Sequence, residues 1–93
     1  MSRFVNIGYG NVMNMDKIVS IVSPDSAPVR RMIQTAKDEG TAVDATQGRK
    51  TKGVIITDGP YVILSALLPE TIAGRCHEFD ASFAKGEGNE GRL

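Results

Sequence analysis

Tryptophan is absent from this chain, and the other aromatics amount to two Tyr and three Phe. A core must therefore be assembled mainly from Val, Ile, Leu and Met. There is one cysteine, Cys76, so no internal disulfide can form, as fits a reducing compartment. The one histidine, His77, stands next to it. A metal site needs several ligands, and a nucleophilic thiol needs a base facing it across the fold. The pair therefore reads as a packed thiol and a surface imidazole, and no metal or cofactor is expected. Net charge is zero. No stretch approaches the ~20 apolar residues of a membrane helix. The N-terminus lacks the cationic and then apolar pattern of a secretory signal. The expectation is a cytoplasmic protein with no membrane partner. Asp16 and Asp44 fall near strands, but nothing in the spacing makes carboxylates converge as two-carboxylate hydrolysis requires. The protein is not expected to be an enzyme, and no catalytic residue is assigned.

What remains is a chain of 93 residues, one domain near the lower limit of what folds alone. A chain of this size buries roughly 60–65% of its unfolded surface, so self-association is one route to a wider stability margin. Charge is unevenly spread. Through Thr57 cations outnumber anions eight to five, and from Asp58 onward anions outnumber cations six to three. A basic front hints at a polyanionic partner; scatter within a neutral chain is the alternative.

The pattern of residues predicts a strand-rich α+β domain. FVNI (4–7) is a short strand, followed by a turn at GYGN, where Gly8, Gly10 and Asn11 tolerate positive φ. KIVSIVS (17–23) is β-branched and apolar on both faces, which suits a central strand. The main helix has Ser26 as N-cap, Pro28 in its first turn and Gly40 just past its end. Val29, Met32, Ile33 and Ala36 form its apolar stripe. Two hairpins are then expected, the first with QGRKT at its tip and the second turning at DGP. PETIAGRCHEF reads as a short second helix, and the Gly- and Glu-rich remainder as a frayed tail.

Two features bear on ligands. NIGYGN follows a strand, but a dinucleotide fingerprint needs a third glycine at position 13, where Met13 stands, and so the segment reads as a turn. GRKTK (48–52) sets Arg49, Lys50 and Lys52 on one short loop. Three cations there repel one another without a polyanion nearby. Gly48 and Gly53 would let a ligand approach the backbone, and Thr51 can donate a hydroxyl to phosphate. A charged tip that keeps a hairpin soluble is the competing reading, and both stand at this point. Arg30 and Arg31, near the start of the main helix, add a mild attraction for phosphate, as does the helix N-terminus itself.

NIGYGN, IVSPDSAPVRRMIQ, DATQGRKT and VILSALLPET together resemble the RemA family of bacterial regulators of extracellular-matrix (biofilm) genes, from about Phe4 to Ala73. The resemblance implies a LytTR-related subunit fold and homo-oligomeric rings, of seven or eight subunits in the family, with double-stranded DNA wrapped around them. It implies a DNA-binding transcriptional regulator in which residues 1–77 are the RemA-like domain and 78–93 a flexible C-terminal tail. By position, the family's DNA contacts fall on Lys17, Arg49 and Lys50. Lys52, Arg30 and Arg31 are expected as helpers from their charge alone, not from the resemblance. Pro28 matches a position tied to activity through the fold, and Gly48 leads the basic loop. The chain departs from the family pattern in having Lys at 17, 50 and 52 in place of Arg, and Gln47 in place of an aromatic. Lysine serves phosphate well but reads guanine poorly, so backbone contact is expected ahead of base readout. The other readings are a ring-forming scaffold for protein partners and an RNA-binding protein. The latter is disfavoured because the loop has no aromatic to stack on bases.

Overall fold

A computed structural model of the protein describes residues 3–85. Strands β1 (Phe4–Gly8) and β2 (Asn11–Asn14) pair as an antiparallel hairpin. Their connection is Tyr9–Gly10, with φ of 53° and 79°. Positive φ at both central positions is the mark of a type I′ turn, whose twist matches that of the flanking strands. Gly8 takes positive φ as expected, but the third such residue in the motif is Tyr9 and not Asn11. Asn11 instead opens β2 and donates its side-chain amide to the Gly8 carbonyl at 2.9 Å. The register skips Ile7, which forms a bulge between Asn6 and Gly8.

A single 3₁₀ turn (Met15–Lys17), capped by Asn14, leads into β3 (Ile18–Val22). Helix α1 (Ala27–Glu39) follows as the sequence predicts. The Ser26 Oγ accepts from the Val29 N–H at 3.3 Å, and Pro28 occupies the second helical position, where a missing N–H costs little. Gly40 ends the helix at φ 76°; its N–H reaches Lys37 O while Thr41 N reaches Ala36 O. That pair of bonds is a complete Schellman cap.

Strands β3, β4 (Ala42–Asp44), β5 (Gly53–Thr57) and β6 (Val62–Ser65) form one mixed sheet in the order β3-β5-β6-β4. The β5–β6 hairpin through DGP is as expected. The first expected hairpin is not formed. β4 pairs with β6, in parallel, and β6 lies between it and β5. The GRKTK segment is therefore a crossover loop rather than a hairpin tip. The central places belong to β5 and β6, whereas β3, read from sequence as central, is an edge strand with Val19 63% exposed at a register shift.

Alternation along β5 and β6 builds two cores. Val54, Val62 and Leu64 face α1 and pack with Ala36, Val29, Met32 and Ile33. Ile55, next to Val54 on β5, faces the other way, into a cluster with Val5, Ile7 and Met13 of the β1–β2 hairpin, Met15 of the 3₁₀ turn, and Ile72 of α2 (Pro69–Lys85). The sheet is thus sandwiched between α1 on one face and the hairpin with α2 on the other. α2 runs well past the short helix expected, through residues 78–85 of the stretch read as tail; residues 86–93 lie outside those described. Cys76 is half-buried against this second core and His77 is exposed. Among the described residues no helix is long and apolar enough to cross a membrane.

Candidate functional site

The basic loop is held at both ends by the strand it crosses. Ala45 N donates to Leu64 O at 2.9 Å on one side of β6, and Lys52 N donates to Ser65 O at 2.9 Å on the other. At its start, Asp44 Oδ1 accepts from the Thr46 hydroxyl at 2.6 Å and from the Thr46 N–H at 2.9 Å. These two bonds, the hydroxyl first, lower the Asp44 pKa; the Lys37 charge adds to them, and partial desolvation opposes them. Gln47 and Gly48 follow at φ 55° and 79°, and Arg49 N returns to Thr46 O at 3.0 Å. Residues 46–49 are thus a second type I′ turn.

The two I′ turns stand side by side. The Asn11 amide reaches the Ala45 carbonyl at 3.4 Å, and the fully buried Ser65 donates its hydroxyl to the Ile7 carbonyl at 2.8 Å. Ile7 is the bulge residue, skipped by the hairpin register, so its carbonyl serves as the latch point. With the hairpin fastened there, the Arg49 guanidinium carbon lies 5.6 Å from the centre of the Tyr9 ring. Tyr9 remains 49% exposed. A non-glycine residue held in a left-handed conformation costs about 1–2 kcal/mol, and an exposed cation–π contact returns about 0.5–1 kcal/mol. The contact with Arg49 at best offsets the strain in Tyr9.

Lys50 and Lys52 line a groove of about 400 Å³ with Ser23, Pro24 and Asp25 ahead of α1 and Leu68, Pro69 and Glu70 at the start of α2. The Arg30 guanidinium donates to the Asp25 carbonyl at 2.9 Å beside this groove. Among the described residues no carboxylate pairs with Lys50 or Lys52 within 4.0 Å, whereas Arg3 pairs with Asp16 at 3.0 Å and Lys17 with Asp58 at 3.6 Å. Arg31 is exposed on α1. The structure therefore brings Arg49, Lys50, Lys52 and Arg30 to one end of the sheet.

Lys17 is elsewhere. It precedes β3, whose first residue pairs with Thr57 at the far end of β5, and its ammonium sits 3.6 Å from Asp58. It borders an apolar groove of about 480 Å³ with Val43, Tyr61 and Ile63. Gly48 is required by its turn, and a Cβ there would meet open space. Gly53, expected to admit a ligand, does something different: it is buried, and a Cβ on it would stand 2.5 Å from the Leu67 carbonyl oxygen. Its role is internal packing under the entry to α2. Tyr9 was not among the residues expected at the site. Its aromatic ring beside a turn glycine was visible in GYGN, but only the fold brings it to Arg49. Among the described residues no group of three or more His, Cys, Asp or Glu could hold a metal ion.

A family model for extracellular matrix regulatory protein A-like (RemA-like) proteins matches residues 4–76. The chain belongs to the RemA-like family. Relatives agree. A provisionally named regulatory protein of Symbiobacterium thermophilum is 53% identical over 89 residues, covering 96% of this chain and 94% of its own length. Another, of Geobacillus thermodenitrificans, is 55% identical over 80 residues (86% and 92%). A third, of Brevibacillus brevis, is 58% identical over 73 residues (78% and 85%). The RemA-like match takes in both I′ turns, the basic loop, and α2 as far as Cys76. These names describe regulators and not enzymes.

Proposed function

We propose that this RemA-like protein is a cytoplasmic DNA-binding transcription regulator of extracellular-matrix (biofilm) genes, and that it works as a homo-oligomeric ring whose basic loops contact the phosphate backbone of wrapped duplex DNA. The observation that carries this reading is the loop itself. Arg49, Lys50 and Lys52 are exposed together on a segment whose ends are bonded to β6, and no carboxylate among the described residues pairs with the two lysines. Exposed cations on a loop whose backbone is anchored suit phosphate, although Asp25 and Glu70 line the same groove as the two lysines. Lys17, at the other end of the sheet, adds a second point of contact in each subunit.

Self-association is supported by the apolar surface left uncovered. β3 is an edge strand carrying exposed Val19, and Val43 and Tyr61 are exposed at the apolar groove. A single loop neutralises few phosphates and binds weakly. Repetition around an oligomer raises the effective concentration of each successive loop along the DNA, and sequence preference then comes from how readily the duplex bends.

The test is a duplex-binding titration over salt with the parent and an Arg49→Ala, Lys50→Ala double variant, with mass measured in solution for each. The parent should lose affinity steeply with salt. The double variant should keep its mass and lose about two phosphate contacts per subunit, each contributing about 0.9 to the slope of log K against log salt. Equal binding by the two proteins at moderate salt would remove the loop from the interface. An intact oligomer that ignores DNA would point instead to a scaffold.

A further inference from the structure

Tyr9 holds a conformation that L-residues other than Asn and Asp seldom adopt, in a turn position where Asn, Asp or Gly is preferred. The ring adds little to the core, since the residue stays half exposed. Its cation–π contact with Arg49 does not exceed the strain it carries. Strain of this kind is characteristic of ligand-contacting residues, where the fold over-determines the conformation. Here the over-determination is visible: the Ser65 latch on Ile7, the Asn6 side chain accepting from Gly8 N at 2.7 Å, and Asn11 bridging Gly8 and Ala45.

We infer that Tyr9 is a contact residue for duplex DNA in its own right, forming with Arg49 a two-part seat for the sugar–phosphate backbone. The inference rests on the DNA-binding reading above and adds to it a residue that carries no charge. The chemistry is complementary. A backbone presents apolar deoxyribose and anionic phosphate in alternation. The pair presents an apolar ring and a phenol O–H donor beside a guanidinium, on two turns locked together. Tyrosine hydroxyls are established donors to phosphate oxygens, and an aromatic ring covers a sugar face without needing a particular base. This accounts for an exposed tyrosine at a site where the lysines favour backbone contact over base readout.

The experiment compares the full-length parent with Tyr9→Asn, Tyr9→Phe and Arg49→Ala by duplex binding over salt and by thermal unfolding. Asparagine suits the left-handed position, so Tyr9→Asn should unfold no earlier than the parent, yet bind duplex DNA about tenfold more weakly. Because no charge is removed, its salt slope should match that of the parent, whereas Arg49→Ala should lower the slope by about 0.9 per subunit engaged. Tyr9→Phe should fall between parent and Tyr9→Asn. Parental affinity in Tyr9→Asn, or a loss accompanied by a lower melting temperature or by the Arg49→Ala slope, overturns the inference and leaves the DNA reading intact. A parent that binds no duplex at low salt overturns both. Displacement of duplex by an equal nucleotide concentration of single strand would assign the ring to base stacking and overturn the backbone seat.

Discussion

The Arg49 guanidinium lies over the Tyr9 ring, 5.6 Å from its centre, and so couples two type I′ turns that belong to different sheets. The contact depends on a chain of bonds below it: the bulge at Ile7, the Ser65 hydroxyl that captures the bulged carbonyl, and the Lys52 amide on the Ser65 carbonyl. One buried serine therefore fastens both turns.

Ser65→Ala tests that role. The hydroxyl donates to Ile7 O at 2.8 Å and accepts from Leu67 N at 3.0 Å, in a residue with no exposed surface. Its removal strands both groups and should cost about 1–3 kcal/mol in urea unfolding. Amide exchange at Tyr9 and Gly10 should accelerate more than at Ile55. Uniform acceleration would mean that the serine supports the whole fold and not the hairpin in particular.

Two glycines flank the basic loop for different reasons, and alanine separates them. Gly48→Ala meets open space but must hold φ near 79°, at a cost of about 1–2 kcal/mol. Gly53→Ala must displace the Leu67 backbone, 2.5 Å from the new Cβ, at about 1–3 kcal/mol. Only the second should disturb α2, which reports as altered amide shifts at Pro69's neighbours Leu68 and Glu70. Shifts there in Gly48→Ala would contradict the assignment.

Asp44 gives the loop a pH dependence. Its folded pKa lies below the ordinary carboxylate value, chiefly through the Thr46 hydroxyl. A lowered folded pKa means stability that is present above the ordinary value and is lost as pH falls through the folded one. Loop amides should therefore loosen on acidification across that window. Thr46→Val removes the hydroxyl but keeps the N–H bond, and should move the Asp44 titration, followed by carboxyl NMR, part of the way back up. An unmoved titration would mean that the hydroxyl is not the cause.

The Lys17–Asp58 pair is exposed on both sides. Asp58→Asn should change stability by less than about 1 kcal/mol. If Lys17 is a second backbone contact, the same variant should bind duplex DNA more tightly at low salt, with the gain vanishing as salt rises. A tightening that persists at high salt would need another explanation.

Much of this architecture is legible in the residues. Ser26, Pro28 and Gly40 mark the ends of α1 because capping chemistry is local, and DGP marks its hairpin for the same reason. The partner of β4 is not local. TAVDAT precedes KGVIIT with the five residues QGRKT between them, a length common in hairpins, so adjacency suggests a hairpin; the eight residues that separate Asp44 from Gly53 are seen only once the strand ends are known. β3 reads as central because both its faces are apolar, but neighbours along the sheet decide strand position, and only β5 is there. The three loop cations were visible as a cluster. The meeting of Arg49 with Tyr9 was not, since it depends on Ser65, far from both in the chain.

The crossover over β6 also bears on thermodynamics. Because both feet of the loop are bonded to strand backbone, and a tight turn fills its first half, the main chain carrying Arg49 has few alternative states to surrender when a ligand arrives. Changes that free either foot without altering a charge should weaken any complex made there through entropy alone, leaving the enthalpy of each remaining contact nearly as it was.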